Sequence, residues 1–160
     1  MREIKFRGKR LESDTWIYGS LFNSIWRKSA DGSRVCYIFP DNMLDDDNGG
    51  GDCWEDFAEV AEQYEVAPAT VGQYTGLKDK NGKEIYEGDI IECIGSDNKP
   101  IRHLVRYNDE KGGYSQLLFM GNGLACEPYD GGLISQNYIC EMGKYIIGNI
   151  HDNPELLKTE

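Results

Sequence analysis

Carboxylates are the most concentrated reactive side chains in this chain. Asp45, Asp46 and Asp47 are adjacent, three glycines follow at 49–51, and Asp52 closes the run. With Asp45 as the first position of a calcium loop, Asp47 and Gly50 fall where a ligand and the turning glycine belong. Gly49, however, stands where Asp or Asn is needed, and Asp56 stands where a bidentate Glu is needed. The run therefore reads as a solvated acidic loop, with no metal and no cofactor expected. His103 and His151 are the two histidines, and neither is accompanied by a nucleophile or a ligand motif. No G-x-S-x-G, H-E-x-x-H or phosphate-binding glycine loop occurs. The sequence thus offers no catalytic residue, and its balance is against an enzyme.

Charge separates by segment. The formal net charge is −11, which opposes non-specific attraction to a phosphate backbone. Residues 1–34 carry eight Lys/Arg against four Asp/Glu, whereas residues 35–70 carry ten Asp/Glu and no Lys/Arg. Arg2, Lys5, Arg7, Lys9 and Arg10 either form a local patch for nucleic acid or pair with the acidic stretch 41–65 of the same or a neighbouring subunit. Segregated opposite charges favour the second reading. The five cysteines, Cys36, Cys53, Cys93, Cys126 and Cys140, form no C-x-x-C pair, which fits reduced thiols. The opening "MREIKFRGKR" lacks the apolar core of a signal peptide, and no long apolar run occurs. A cytoplasmic protein without a membrane segment is expected.

The elements that would position these residues are mostly strands. "MREIKFRGKR" alternates Ile4 and Phe6 with charged residues, the period of a half-buried strand beginning near Arg2. "TWIYGSLFN" and "RVCYIF" read as neighbouring strands of a hairpin whose connection holds Asp31-Gly32. Trp54, Phe57, Ala58, Ala61 and Tyr64 lie at helical spacing, so one helix is predicted near residues 53–64, capped by Asp52 with Glu55 and ended by Pro68. Beyond it, "TVGQYTGL", "DIIECI", "IRHLVRYN", "GYSQLLFM" and "KYIIGNI" are short apolar runs divided by turns, with Gly112-Gly113 joining the third and fourth. The 160 residues predict one mainly β domain: a small barrel-like or sandwich-like sheet of short antiparallel strands with that single helix.

"QYTGLKDKNGKEIYEGDII", residues 73–91, is the most patterned stretch. Asn81-Gly82 predicts a type I′ hairpin, since both central positions of that turn need positive φ. Gly88 permits a bend into Asp89–Ile94, a strand expected to be buried except at Glu92. Scaffold needs account for nearly every residue here. Tyr74, Lys78, Tyr86 and Asp89 place polar tips near the turns and are the candidate binding residues.

Together with "REIKFR" and "IIGNIHDNPELL", this stretch resembles the YopX family of phage and prophage proteins. The segment between "REIKFR" and "QYTGL", which varies in that family, here holds the acidic loop and helix of 41–66. The resemblance implies a mainly β phage or prophage protein, a homo-oligomer with no established activity, in the cytoplasm of a bacterial host. It supplies no catalytic residues. The expected function is that of an accessory protein acting through self-association and protein contacts. The alternatives are a nucleic-acid-binding regulator on a small β-barrel and, further off, a metal-dependent enzyme.

Overall fold

The computed structural model describes residues 3–28, 34–41, 61–119 and 133–157. They divide into two units, Met1–Gln73 and Tyr74–Glu160. The fold is mainly β, as predicted, with antiparallel sheets that stay open.

In the first unit, β1 (Phe6–Lys9) runs between β2 (Trp16–Lys28) and the start of β5 (Gly72–Lys78), and β2 continues through β3 (Arg34–Phe39) to β4 (Glu65–Val66). β2 and β3 form the expected antiparallel pair, with Leu21 opposite Ile38 and Phe22 opposite Tyr37. β3 is apolar on both faces because both are covered. Cys36 and Ile38 pack with Ile17 and Val66; Val35 and Tyr37 pack with Ala61. The first strand starts later than the alternation suggests, leaving Ile4 68% exposed, while Arg7 is buried.

The predicted acidic loop lies outside the described residues beyond Asp41, as does the turn at Asp31-Gly32. So does the helix over 53–60. Its described end is helical only at 61–62. Glu65 and Val66 then form β4 against Tyr37 and Cys36, so strand pairing, not Pro68, decides their conformation.

The second unit is built on a four-stranded sheet ordered β10-β7-β8-β9, from β7 (Asp89–Ile94), β8 (Pro100–Asn108), β9 (Gly113–Phe119) and β10 (Tyr145–Asn149). Gly112, at φ +62°, turns β8 into β9 as expected. Ile85, Ile91, Val105 and Ile139 form its core. Glu92 is not the solvated position of β7. Its carboxylate accepts from Arg102 Nε at 3.2 Å and from the Tyr145 hydroxyl at 2.7 Å, and it is Ile94 that is exposed. A helix absent from the sequence reading, α1 (Gln136–Glu141), precedes β10.

The β5–β6 hairpin, with β6 at Glu84–Tyr86, differs from the predicted turn type. Asn81 keeps a negative φ and only Gly82 goes positive, to +83°. The Gly82 amide donates to the Asp79 carbonyl at 3.0 Å and the Asp79 amide to the Lys83 carbonyl at 2.8 Å, a three-residue loop closed by a glycine bulge. The Asp79 side chain is the reason. One of its oxygens accepts from the Asn81 amide at 2.8 Å and the Lys83 amide at 2.9 Å, which ties the loop in this form. The other accepts from the Ile146 amide at 3.1 Å, joining the hairpin to β10.

Three charge-assisted bonds converge on a carboxylate that is 4% exposed. Replacing Asp79 by Ala should therefore cost about 2–4 kcal/mol in urea unfolding, and Asp79→Asn, which keeps one acceptor oxygen, should cost less. An Ala variant with an unchanged midpoint would show that the three bonds do not hold the hairpin.

Candidate functional site

The sequence Ser-Gln-Asn-Tyr-Ile-Cys-Glu-Met-Gly-Lys, 135–144, carries both ends of α1. The Ser135 hydroxyl accepts from the Tyr138 amide at 3.3 Å, capping the start. At the other end the Gly143 amide donates to the Cys140 carbonyl and the Lys144 amide to the Ile139 carbonyl, both at 3.0 Å. This is the Schellman ending, and its left-handed position is filled by Gly143 at φ +59°. The chain is thereby turned sharply, and Lys144 leads directly into β10. Two further contacts fix the arrangement. The Gln136 side chain pairs with the backbone of Lys78, accepting at 2.9 Å and donating at 2.8 Å, and the Lys80 amide donates to the Lys144 carbonyl at 2.9 Å. The hairpin that dominates the sequence pattern thus holds both the helix and the lysine.

Lys144 has no exposed surface. Its ammonium donates to Gln116 Oε1 at 2.6 Å and to His103 Nε2 at 3.3 Å, and it lies 4.4 Å from the centre of the Tyr138 ring. Among the described residues no carboxylate lies within ion-pair distance of it. A buried ammonium ordinarily needs an anionic partner, because desolvation costs several kcal/mol. Here three dipoles take that place: an amide oxygen, an imidazole lone pair and an aromatic face.

The electrostatics follow from burial. Desolvation pushes the Lys144 amine down to about 8, with the Cys93 thiol opposing. It pushes His103 down to about 3, aided by the Lys144 charge and opposed by the Ile91 backbone. At neutral pH the proton therefore sits on Lys144, and His103 is neutral. Because Nε2 accepts from the ammonium, the imidazole proton is on Nδ1, which is buried, with the Ile91 backbone as the acceptor beside the ring.

These groups border a cavity of about 400 Å³, within the range that takes a small molecule. Its wall combines apolar Ile101, Leu118 and Met142 and the Cys93 thiol with three polar side chains, His103, Gln116 and Tyr138. All three contact the Lys144 ammonium, which itself stands behind the wall. Gln116 also donates from Nε2 to the Tyr138 hydroxyl at 3.2 Å.

The candidate residues from the sequence fall elsewhere. Tyr74 and Tyr86 are buried with ring centres 5.4 Å apart, and the Tyr86 hydroxyl donates to Glu84 at 2.7 Å. Asp89, 1% exposed, accepts from the Tyr86 amide at 2.8 Å at the bend where Gly88 has φ +84°. These three come together; Lys78 is exposed and meets Gln136 only through its backbone. None of the four lines the cavity. His151 donates its amide to Asn149 Oδ1 at 2.9 Å. In the basic segment, Arg7 lies 4.7 Å over the Trp16 ring, Arg10 lies 5.6 Å from the Tyr64 ring, and Lys9 pairs with Asp14 at 3.0 Å. Cys36, Cys93 and Cys140 are free thiols. Among the described residues no cluster has the makings of a metal site, and no helix is long and apolar enough to cross a membrane.

Sequence reading passed over Lys144, Gln116 and Tyr138 and treated His103 as a strand residue. The available signal was the cap pair, Ser135 before and Gly143 after a seven-residue interval, which marks a short helix with a lysine just beyond its end.

The fold and the cavity define a mainly β chain whose second unit sets a buried lysine behind a pocket. The family model described as YopX protein matches residues 5–158, and the chain belongs to the YopX family. Its fold is similar to that in the crystal structure of protein EF1440 from Enterococcus faecalis, at 24% identity and a TM-score of 0.54, over 99% of this chain and 100% of that one. No curated protein matches it.

Burial of Lys144 has a signed consequence for stability. The unfolded chain holds the lysine proton up to an ordinary pKa of 10.5, whereas the folded one releases it near 8. Between those values the unfolded state binds more protons, so raising the pH through this window stabilises the fold. Relative to a Lys144→Met variant, the protein should gain about 2–3 kcal/mol between pH 7 and pH 10.5 in urea unfolding, whatever their difference at pH 7. A difference that stays constant with pH would show an unperturbed lysine.

Proposed function

We propose that this is an accessory protein of a phage or prophage that acts by binding, and that its second unit takes a small molecule into the cavity. The resemblance of the three sequence motifs to phage and prophage proteins motivates the first part. Self-association and protein contacts, which the family resemblance implies, belong to the same reading. One observation carries the second part: a cavity of ligand size with three polar side chains gathered on a single buried ammonium. A buried charge held only by dipoles is expensive to maintain for packing alone. Perturbed ionisable groups beside a pocket are where binding and catalysis concentrate. Binding is favoured over turnover because the amine stands behind the wall, out of reach of a substrate's reacting atoms, and no nucleophile and base are paired in the wall.

The test uses N-phenyl-1-naphthylamine, a neutral apolar fluorophore. Its emission should rise saturably at one equivalent per chain. The rise should vanish in Leu118→Trp and in Met142→Trp, each of which fills the cavity from a different side. Emission that never saturates, or that saturates equally in both folded variants, would remove the reading.

A further inference from the structure

The polar wall has a direction, and the direction specifies the ligand. An ammonium can only donate, so the 2.6 Å contact assigns Gln116 Oε1 as its acceptor and leaves the amide N–H groups on the far side. One of these donates to the Tyr138 hydroxyl. That oxygen, now an acceptor, still carries its own proton, and no described residue takes it. The chain therefore runs Lys144 Nζ–H to Gln116 Oε1, Gln116 Nε2–H to Tyr138 Oη, and Tyr138 O–H to none of the described residues. Bonds in such a series polarise one another in the same sense, so the last donor is strengthened by the charge at the first.

His103 likewise turns its lone pair to the ammonium, with the Ile91 backbone beside its ring opposing the loss of its proton. Among the described residues the remaining wall, Cys93, Ile101, Leu118 and Met142, offers contact and only weak sulfur acceptors to compete. A positive charge that no carboxylate neutralises among the described residues projects its field through these dipoles.

We infer that the cavity ligand is a small carboxylic acid with an apolar body, whose carboxylate accepts the Tyr138 hydroxyl proton while its body lies against Ile101, Leu118 and Met142. The inference rests on the binding reading above and adds the class of ligand. Lys144 and Gln116 act as positioning residues, and Tyr138 is the group that touches the ligand. The lysine amine is still protonated at neutral pH, so the relay is charged under ordinary conditions.

The experiment displaces bound N-phenyl-1-naphthylamine at pH 7 with decanoate and, separately, with decanol, which has the same chain and no charge. Decanoate should displace it at about tenfold lower concentration than decanol, the effect expected of one charge-assisted hydrogen bond. Tyr138→Phe, which keeps the ring over the ammonium, should lose the preference for the acid, so that decanoate and decanol displace the fluorophore at the same concentration. Lys144→Met should lose it too. Equal displacement by acid and alcohol would overturn the carboxylate inference and leave the cavity reading standing. Fluorophore that never binds would overturn both. A preference for decanoate that survives in Tyr138→Phe would overturn the placement of the carboxylate at that hydroxyl.

Discussion

A lysine ammonium with no exposed surface and, among the described residues, no carboxylate beside it is the constraint on which the second unit turns. Removing that charge from water is tolerable only if every N–H finds an electron-rich neighbour. The structure meets this with side chains from three elements: Gln116 on β9, His103 on β8 and Tyr138 on α1. Each must be held from behind. β8 and β9 supply two through their register, in which His103 pairs with Leu118 and Val105 with Gln116. The helix supplies the third only because Ser135 starts it and Gly143 ends it within two turns. Solvating one buried charge thus fixes the relative placement of a helix and three strands.

The hairpin at residues 73–91 takes its meaning from the same constraint. Its Asp79 carboxylate binds the Ile146 amide, and its Lys80 amide binds the Lys144 carbonyl, so the backbone on both sides of the lysine is anchored to the loop. Lys78 gives its backbone to Gln136 at the first turn of α1. The stretch that identifies the family is therefore scaffold, as its residue types suggest, and what it supports is the lysine and the helix. The closing motif has a comparable local logic. Asn149 Oδ1 accepts from the amides of His151 and Asp152, and its amide donates to Asp152, a side-chain-closed turn that ends β10.

Periodicity made the sheets legible. "RVCYIF", "DIIECI" and "IRHLVRYN" are runs whose composition admits little but a strand, and all three are strands. What stayed hidden depended on partners distant in sequence. The Asn81-Gly82 pair suggested one turn type, and the carboxylate two residues earlier selected another. Glu92 looked solvated in its own strand, but Arg102 and Tyr145 cover it. The site was the least legible part for the same reason. Lys144, His103, Gln116 and Tyr138 are separated by up to 41 positions, and no spacing rule joins a lysine to a glutamine across a sheet. A lysine in "MGKYIIGN" reads as a surface charge at the start of a strand until the fold buries it.

The central claim is that Lys144 is a charged, buried amine held by neutral partners. It is tested most directly by nuclear magnetic resonance titration of the Lys144 side chain, with isotope label at lysine and Lys144→Arg for assignment. The account predicts a midpoint near 8 with His103 neutral throughout the titration, and a rise in that midpoint when decanoate is added. A Lys144 midpoint at the ordinary value of 10.5 would contradict it.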